Sequence, residues 1–441
     1  LSTRTRQYAT IGKMAASIEA AIAGLRLLGV PMTEDPDREA IDGELRAVEE
    51  NLGGRAIAAL IDGPVLRDPA DTVAIRLLME IFPAAFLSGS GNLFPFLVLR
   101  SVNISLRGGN SPESAFAYAA FGMLLCGALG DPARGLEYGK LAVAMNDRLD
   151  DIALKSRVIY VYAMFIHHWS HHWATMTPWF RRGIESGYQS GDLLYLAYSA
   201  QDCIIWDPRM DLESAEREHA AYLEIVRECE YQDSLDSGTL FLQMQRNFLG
   251  RTTELLSMND ESFDEERCLE GMRARRFMTG VANYHIYKTE IACLYGRFDE
   301  ALEHVRAQDR LMASAMSLPQ LVRYHAVAFQ VLAGLLPRMS PAEASETLAR
   351  LRADRERMRK LADHCPENFL HLALTMEAEL ARLDGRAEEA LGLYDAAIEA
   401  ARRSEYLRDE AVANELAARH LLALGRRKAA EGYVRAAVGL F

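Results

Sequence analysis

The sequence predicts an all-α protein, a right-handed superhelical α-solenoid of about ten helical hairpins. Three observations carry that prediction. Apolar residues recur at helical spacing almost everywhere, and no stretch alternates as a strand would. The 441 residues hold only 14 prolines and 30 glycines, too few to punctuate a β-rich or loop-rich chain. A short glycine-led block also recurs along the chain at multiples of a fixed length.

The periodicity is clear between 386 and 403. Ala387, Ala390, Leu391, Tyr394, Ile398 and Ala401 form one apolar stripe, and Glu388, Glu389, Asp395, Glu399 and Arg402 face away from it. Helix starts are marked by Ser111-Pro112, Asp131-Pro132 and Ser340-Pro341. Each places an oxygen acceptor at the N-cap and proline where no backbone donor is wasted. Glu343 completes a capping-box spacing with Ser340. Asp150-Asp151 opens a further helix, where carboxylates favour the dipole.

The repeat aligns Gly130 to Leu136 with Gly296 to Leu302 and Gly385 to Leu391, and more weakly with Gly425 to Ala430. Each block follows an apolar helix. The reading is mechanical: one helix ends at a glycine that tolerates the left-handed turn, and a second begins at once. A small residue at the fifth following position (Gly135, Ala301, Ala390 or Ala430) lets the two helices approach closely. Gly130, Gly296, Gly385 and Gly425 are therefore structural turn residues. This block resembles a tetratricopeptide-like repeat of the longer, roughly 40-residue kind, whose hairpins bury their apolar faces only by stacking. Residues 1–110 are less regular, with loose loops at Gly29–Asp37 and Leu87–Asn92, and are expected to form an atypical helical portion packed on the array at 111–441.

Composition narrows the function. A quarter of the residues are charged and the formal net charge is −13, which argues against a nucleic-acid partner. The most apolar segment, Leu93 to Leu99, falls far short of the roughly 20 residues a membrane span needs. Six scattered cysteines without a CxxC pair fit a reduced, cytoplasmic setting. The chain opens Leu1-Ser2-Thr3-Arg4 without an initiator methionine or signal peptide, as a piece of a longer polypeptide would.

Catalytic motifs do not emerge. Gly135 to Leu141 lacks the spacing and hydroxyl of a phosphate-binding loop, and no GxSxG elbow occurs. Leu154 breaks any DDxxD reading of Asp150-Asp151. The sharpest local anomaly is His167-His168-Trp169-Ser170-His171-His172-Trp173, with Trp179 and Trp206 nearby. On a continuous helix, His167/His171 and His168/His172 would share faces and could hold zinc or nickel, but no third ligand follows at recognisable spacing. The blander reading is tryptophan packing at a helix end. An aromatic groove formed by Tyr162, His168, Trp169, Trp173, Tyr198 and Trp206 could instead hold a peptide or a small effector. No cofactor is called for.

Toward the C-terminus the motifs become more specific. Pro366-Glu367-Asn368-Phe369-Leu370-His371, Glu377 to Arg386, Ala390 to Ala401 and Glu410 to Arg419 follow in order. With Gly109-Asn110-Ser111-Pro112, Leu124 to Gly127, Leu129 to Asp131 and His168-Trp169, they resemble the helical repeat region of large bacterial signalling proteins. The similarity runs from about Gly29 to Phe441. In that family the region lies between an ATPase module of the AAA or STAND type and downstream GAF and histidine-kinase modules, often with a Ser/Thr-kinase-like domain in front. The resemblance implies a non-catalytic sensing or scaffolding arm, with other modules of the same polypeptide or separate proteins as partners, and makes His171 and His172 local variation. Alternatives are a stand-alone repeat adaptor, the effector-binding arm of a maltose-regulator type of transcription activator, and, more remotely, an (α/α)-toroid glycoside hydrolase with facing carboxylates.

Overall fold

Glycines and their neighbours set the rhythm of the chain. A computed structural model describes residues 2–10, 13–30, 32–87 and 91–440. Part of the predicted loop at Leu87–Asn92, residues 88–90, lies outside the described residues, as does Pro31. Among the described residues there are 22 α-helices and no strand; one isolated bridge joins Val65 and Asn110.

Six helices come first: α1 (Ser2–Thr10), α2 (Met14–Leu27), α3 (Arg38–Leu52), α4 (Pro69–Glu80), α5 (Phe82–Leu87) and α6 (Leu93–Gly108). Only α1 and α2 pair closely as neighbours; α3 packs on α6, and α1 and α2 both touch α4. Eight regular hairpins follow. They are α7/α8 (Pro112–Gly127, Pro132–Leu149), α9/α10 (Ile152–Phe165, Met176–Ser190), α11/α12 (Leu193–Gln201, Leu212–Glu228) and α13/α14 (Gln232–Phe248, Glu265–Ala274). Then come α15/α16 (Met278–Leu294, Phe298–Gln308), α17/α18 (Pro319–Leu335, Pro341–His364), α19/α20 (Pro366–Leu383, Ala387–Arg403) and α21/α22 (Leu407–Ala423, Arg427–Leu440). The solenoid thus has eight regular hairpins rather than about ten, because the first six helices spend their length on irregular packing.

Within each hairpin the first helix stacks on the first helix of the next: α7 on α9, α9 on α11, and so on to α19 on α21. The inner helices α7 and α15 are buried around nearly their whole circumference, whereas the outer helices α12 and α16 bury one stripe. The division follows sequence, apolar and small residues inside and charged faces outside.

The turns divide by hand-over. Inner-to-outer turns use glycine in the left-handed region: Gly130, Gly250, Gly296, Gly385 and Gly425 have φ of 68°, 68°, 68°, 75° and 73°. Nothing lies within 4 Å of a Cβ built on Gly130, Gly296, Gly385 or Gly425, so backbone conformation and not space selects glycine there. Several outer-to-inner turns put ordinary residues in the same region: Asp150, Glu230, Arg276 and Glu405. The fifth-position residues work through space. A Cβ on Gly135 would lie 2.8 Å from the Gly122 carbonyl oxygen and clash with the Cys126 sulfur, while Ala301, Ala390 and Ala430 are buried.

The caps differ in detail from expectation. Asp131 accepts from the Arg134 N–H at 3.0 Å, and Ser340 and Glu343 form the reciprocal box. At Ser111 the box is closed by a serine, the Ser114 hydroxyl accepting from the Ser111 N–H at 3.0 Å. Asp150 lies outside a helix as the left-handed residue after α8, so Asp151 alone caps α9, accepting from the Leu154 N–H at 2.8 Å.

The hairpins do not touch only their neighbours. Hairpin one meets hairpin six, since a Cβ on Gly127 would stand 2.5 Å from that of Ser317, just before α17. Hairpin two meets hairpin seven where Asn368 of α19 binds the carbonyls of His168 and His171. Hairpin three meets hairpin eight where the Leu407 N–H donates to the Pro208 carbonyl at 3.2 Å. The offset is five each time. The superhelix comes round once in five hairpins, and its second turn sits directly on the first.

Candidate functional site

The His/Trp segment lies at this inter-turn seam. It is not a helix: α9 ends at Phe165, and two short 3₁₀ turns, His167–Trp169 and Trp173–Thr175, lead into α10. The carbonyls that a continuing helix would engage go elsewhere. Asn368 Nδ2 donates to the oxygens of His168 and His171 at 2.8 and 2.7 Å, and the Tyr406 hydroxyl fixes the amide by donating to Asn368 Oδ1 at 2.8 Å. Trp169 Nε1 donates to the Phe165 carbonyl at 3.1 Å and to the Ser317 hydroxyl at 3.0 Å.

This geometry keeps the His167 and His171 rings together, while His168 and His172 go to different partners. His167 lies between the Tyr162 hydroxyl (3.2 Å) and Thr175 Oγ1 (2.7 Å), and burial lowers its pKa to about 3, with His171 and Lys140 adding to the effect. His168 is fully buried beside Trp169 and Trp173, and burial holds it well below its usual range. His172 Nδ1 accepts from the Ala174 N–H at 3.2 Å, so the proton sits on Nε2, which donates to the Ser404 carbonyl at 2.7 Å. The His171 ring packs 4.5 Å from that of His167. Among the described residues no group of three or more His, Cys, Asp or Glu side chains is placed to hold a metal ion.

Beside this seam the two turns border a solvent-open cavity of about 660 Å³ that adjoins a second of about 240 Å³; Trp173, Leu294, Arg323, Arg408, Glu415 and Arg419 line both. The larger is walled by Trp206, Phe241, Met244 and Phe248 from the first turn and by Leu422 and Val438 from the last hairpin. Its volume lies in the range typical of small-molecule pockets. Of the six aromatic-groove residues, Trp173 and Trp206 come together here, their rings edge to face at 6.0 Å. Tyr198 lines a separate cavity of about 80 Å³ together with Tyr160 and Asp202. Tyr162, His168 and Trp169 line none of these cavities and serve the packing of the seam.

The shared wall is charged. Glu290 of α15 receives two guanidinium groups, Arg323 Nη2 at 2.6 Å and Arg408 Nη1. Burial pushes the Glu290 carboxyl upward, but Arg323 and Arg408 outweigh it and hold the group ionised. Asp409 behaves alike: burial opposes ionisation, while His371 at 3.2 Å, then Arg323 and Arg408, bring its pKa down to about 2. Arg408 is the exception among the arginines. Burial lowers its pKa despite Glu290, and its guanidinium lies 4.5 Å over the Phe248 ring with 29 % of the side chain exposed. A one-sided ion pair of this kind is held by the fold and not by its own energy.

Sequence reasoning missed Glu290, Arg323 and Arg408. A signal existed for the first two, since Arg323 is the lone charge of its inner helix and Glu290 shares its own with Lys288 alone. Arg408 looked like an ordinary first-turn residue, flanked by Asp409 and Glu410.

Among the described residues no helix is long and apolar enough to cross a membrane. No protein-family model matches the chain. Over an alignment 222 positions long that covers 46 % of the chain, it is 21 % identical to hybrid signal transduction histidine kinase G of Dictyostelium discoideum, and the match spans only 6 % of that protein's length. Among solved structures, a circular tandem repeat protein with novel repeat topology aligns over 100 % of this chain and 93 % of its own, at 14 % identity and a TM-score of 0.18. At that score the fold rests on the chain's own helix order: an α-solenoid of helical hairpins.

Proposed function

We propose that this chain is a non-catalytic sensing and scaffolding repeat domain of a signalling protein, in which a ligand or partner segment bound between the two superhelical turns is coupled to ATPase and kinase modules. The observation that carries the reading is the position of the 660 Å³ cavity. Its walls come from hairpins two to five on one side and hairpins six and eight on the other, so an occupant contacts both turns at once. A ligand that touches both turns favours one pitch over another, which is the differential affinity a conformational signal requires. The partial similarity to a histidine kinase supports a signalling context.

The test is a thermal-shift screen of small molecules against the purified domain and an Ala215→Trp variant, which fills the cavity from α12. Compounds acting at the site raise the wild-type Tm, fail on the variant, and change hydrogen exchange at residues 166–175 and 404–410. Compounds that stabilise both proteins equally, without altering exchange at the seam, overturn the reading.

A further inference from the structure

We infer that the inter-turn cavity binds an amphipathic monocarboxylate, its apolar body against Trp206, Phe241, Met244 and Leu294 and its carboxylate on the Arg408 guanidinium. The inference rests on the proposal that this cavity is the ligand site, and adds the chemical class of the ligand.

The apolar part of the argument is the wall. Aromatic and aliphatic side chains from α13, α15 and α22 face one another across a volume large enough for a medium-length alkyl chain or a fused ring system. The polar part is confined to the inner end. There Arg323 is engaged by Glu290 at 2.6 Å and Arg419 by Glu415 at 2.5 Å. Arg408 has only a share of Glu290, which it divides with Arg323. Its guanidinium, 4.5 Å over the Phe248 ring and lining the cavity, offers the planar fork that a carboxylate matches with two parallel hydrogen bonds.

Charge sets the limit on the ligand. Glu290, Asp409 and Glu415 line the same inner end, so a dianion such as a phosphate monoester would meet three carboxylates. A single negative charge completes the Arg408 pairing and meets about half of that repulsion. A cationic head finds no free carboxylate, since Glu290 is engaged by Arg323 and Arg408, Glu415 by Arg419 and Asp409 by His371. The flanking acids closest to the apolar wall are already occupied: Asp207 pairs with Arg209 at 2.7 Å, and Asp211 caps α12 by accepting from the Ser214 N–H at 2.8 Å.

The experiment is calorimetric titration, below micelle-forming concentrations, of dodecanoate, dodecanol and dodecyltrimethylammonium into the wild-type domain and two variants. Arg408→Gln leaves Glu290 its Arg323 partner, and Ala215→Trp fills the cavity. The expected result is one dodecanoate per chain, bound at least ten-fold tighter than either other probe, with Arg408→Gln removing that preference and leaving dodecanol affinity unchanged. Equal affinity for dodecanoate and dodecanol in the wild type, a preference that survives Arg408→Gln, or no binding of any probe overturns the carboxylate assignment. Those outcomes leave the cavity reading standing; binding that is indifferent to Ala215→Trp overturns that reading as well.

Discussion

Asn368 donates its side-chain amide to the His168 carbonyl at 2.8 Å, across 200 residues of chain. The same nitrogen reaches His171, and the amide oxygen is held by Tyr406. One buried side chain therefore fastens hairpin seven to hairpin two.

Replacing Asn368 with Ala leaves two carbonyls and a tyrosine hydroxyl at the seam without their partner. Expected losses for buried groups of this kind sum to about 2–4 kcal/mol. Urea unfolding measures the loss, and hydrogen exchange locates it, with faster exchange expected at 166–175 and 404–410 and little change in α7. A variant as stable and as protected as the wild type would show that the clasp is incidental.

The two kinds of turn predict opposite signs for one pair of exchanges. Gly296→Ala forces a Cβ into the left-handed region and should cost about 1–2 kcal/mol, although no neighbouring atom is struck. Glu405→Gly, at φ 56°, removes such a Cβ from an exposed turn and should raise stability by up to about 1 kcal/mol. Thermal melts of the two variants should move in opposite directions.

Asp202 accepts from the Tyr160 hydroxyl at 2.8 Å in a fully buried site, and burial raises its pKa to about 7 against hydrogen bonds that pull the other way. Because the folded value lies above the unfolded one, near 3.9, the contribution of this group is intact below about pH 4 and is lost as pH rises toward 7. Asp202→Asn should therefore stabilise the protein at pH 8, by roughly 2 kcal/mol, and do little at pH 4.5. Equal effects at both values would mean that the carboxyl is not protonated in the fold.

Buried histidines act with the opposite sign. The folded pKa of His167 is about 3 and those of His219, His285 and His325 about 4, all from burial first. Their contribution is present above the unfolded value near 6.5 and is lost as pH falls toward the folded values. Stability should drop steeply between pH 6.5 and 4.5, and His167→Gln should flatten that slope by about one proton's worth, roughly 1.4 kcal/mol per pH unit. Urea midpoints across that range supply the measurement.

The solenoid was readable from sequence because its rules are local. A glycine after an apolar helix and a small residue five positions on are both set by neighbours a few residues away, and they mark Gly130, Gly296, Gly385 and Gly425 without any knowledge of the whole. The site was less readable because its contacts span the superhelix. Trp173 and Trp206 could be picked out as aromatics, but nothing near them in sequence points to Arg408. The His/Trp stretch was legible as a helix end but its cause was not: Asn368, some 200 residues away, captures the His168 and His171 carbonyls.

The five-hairpin offset changes how this repeat array should unfold. In a solenoid whose units touch only their neighbours, the ends fray and the rest survives, as in a chain of nearest-neighbour couplings. Here the contacts between hairpins one and six, two and seven, and three and eight close loops of about 200 residues, so both ends of the hairpin array are bound to its middle. Contacts of such sequence separation slow folding, since much of the chain must be ordered before they form. They also make unfolding cooperative, so that disturbing hairpin eight is felt in hairpin three without passing through the four units between them.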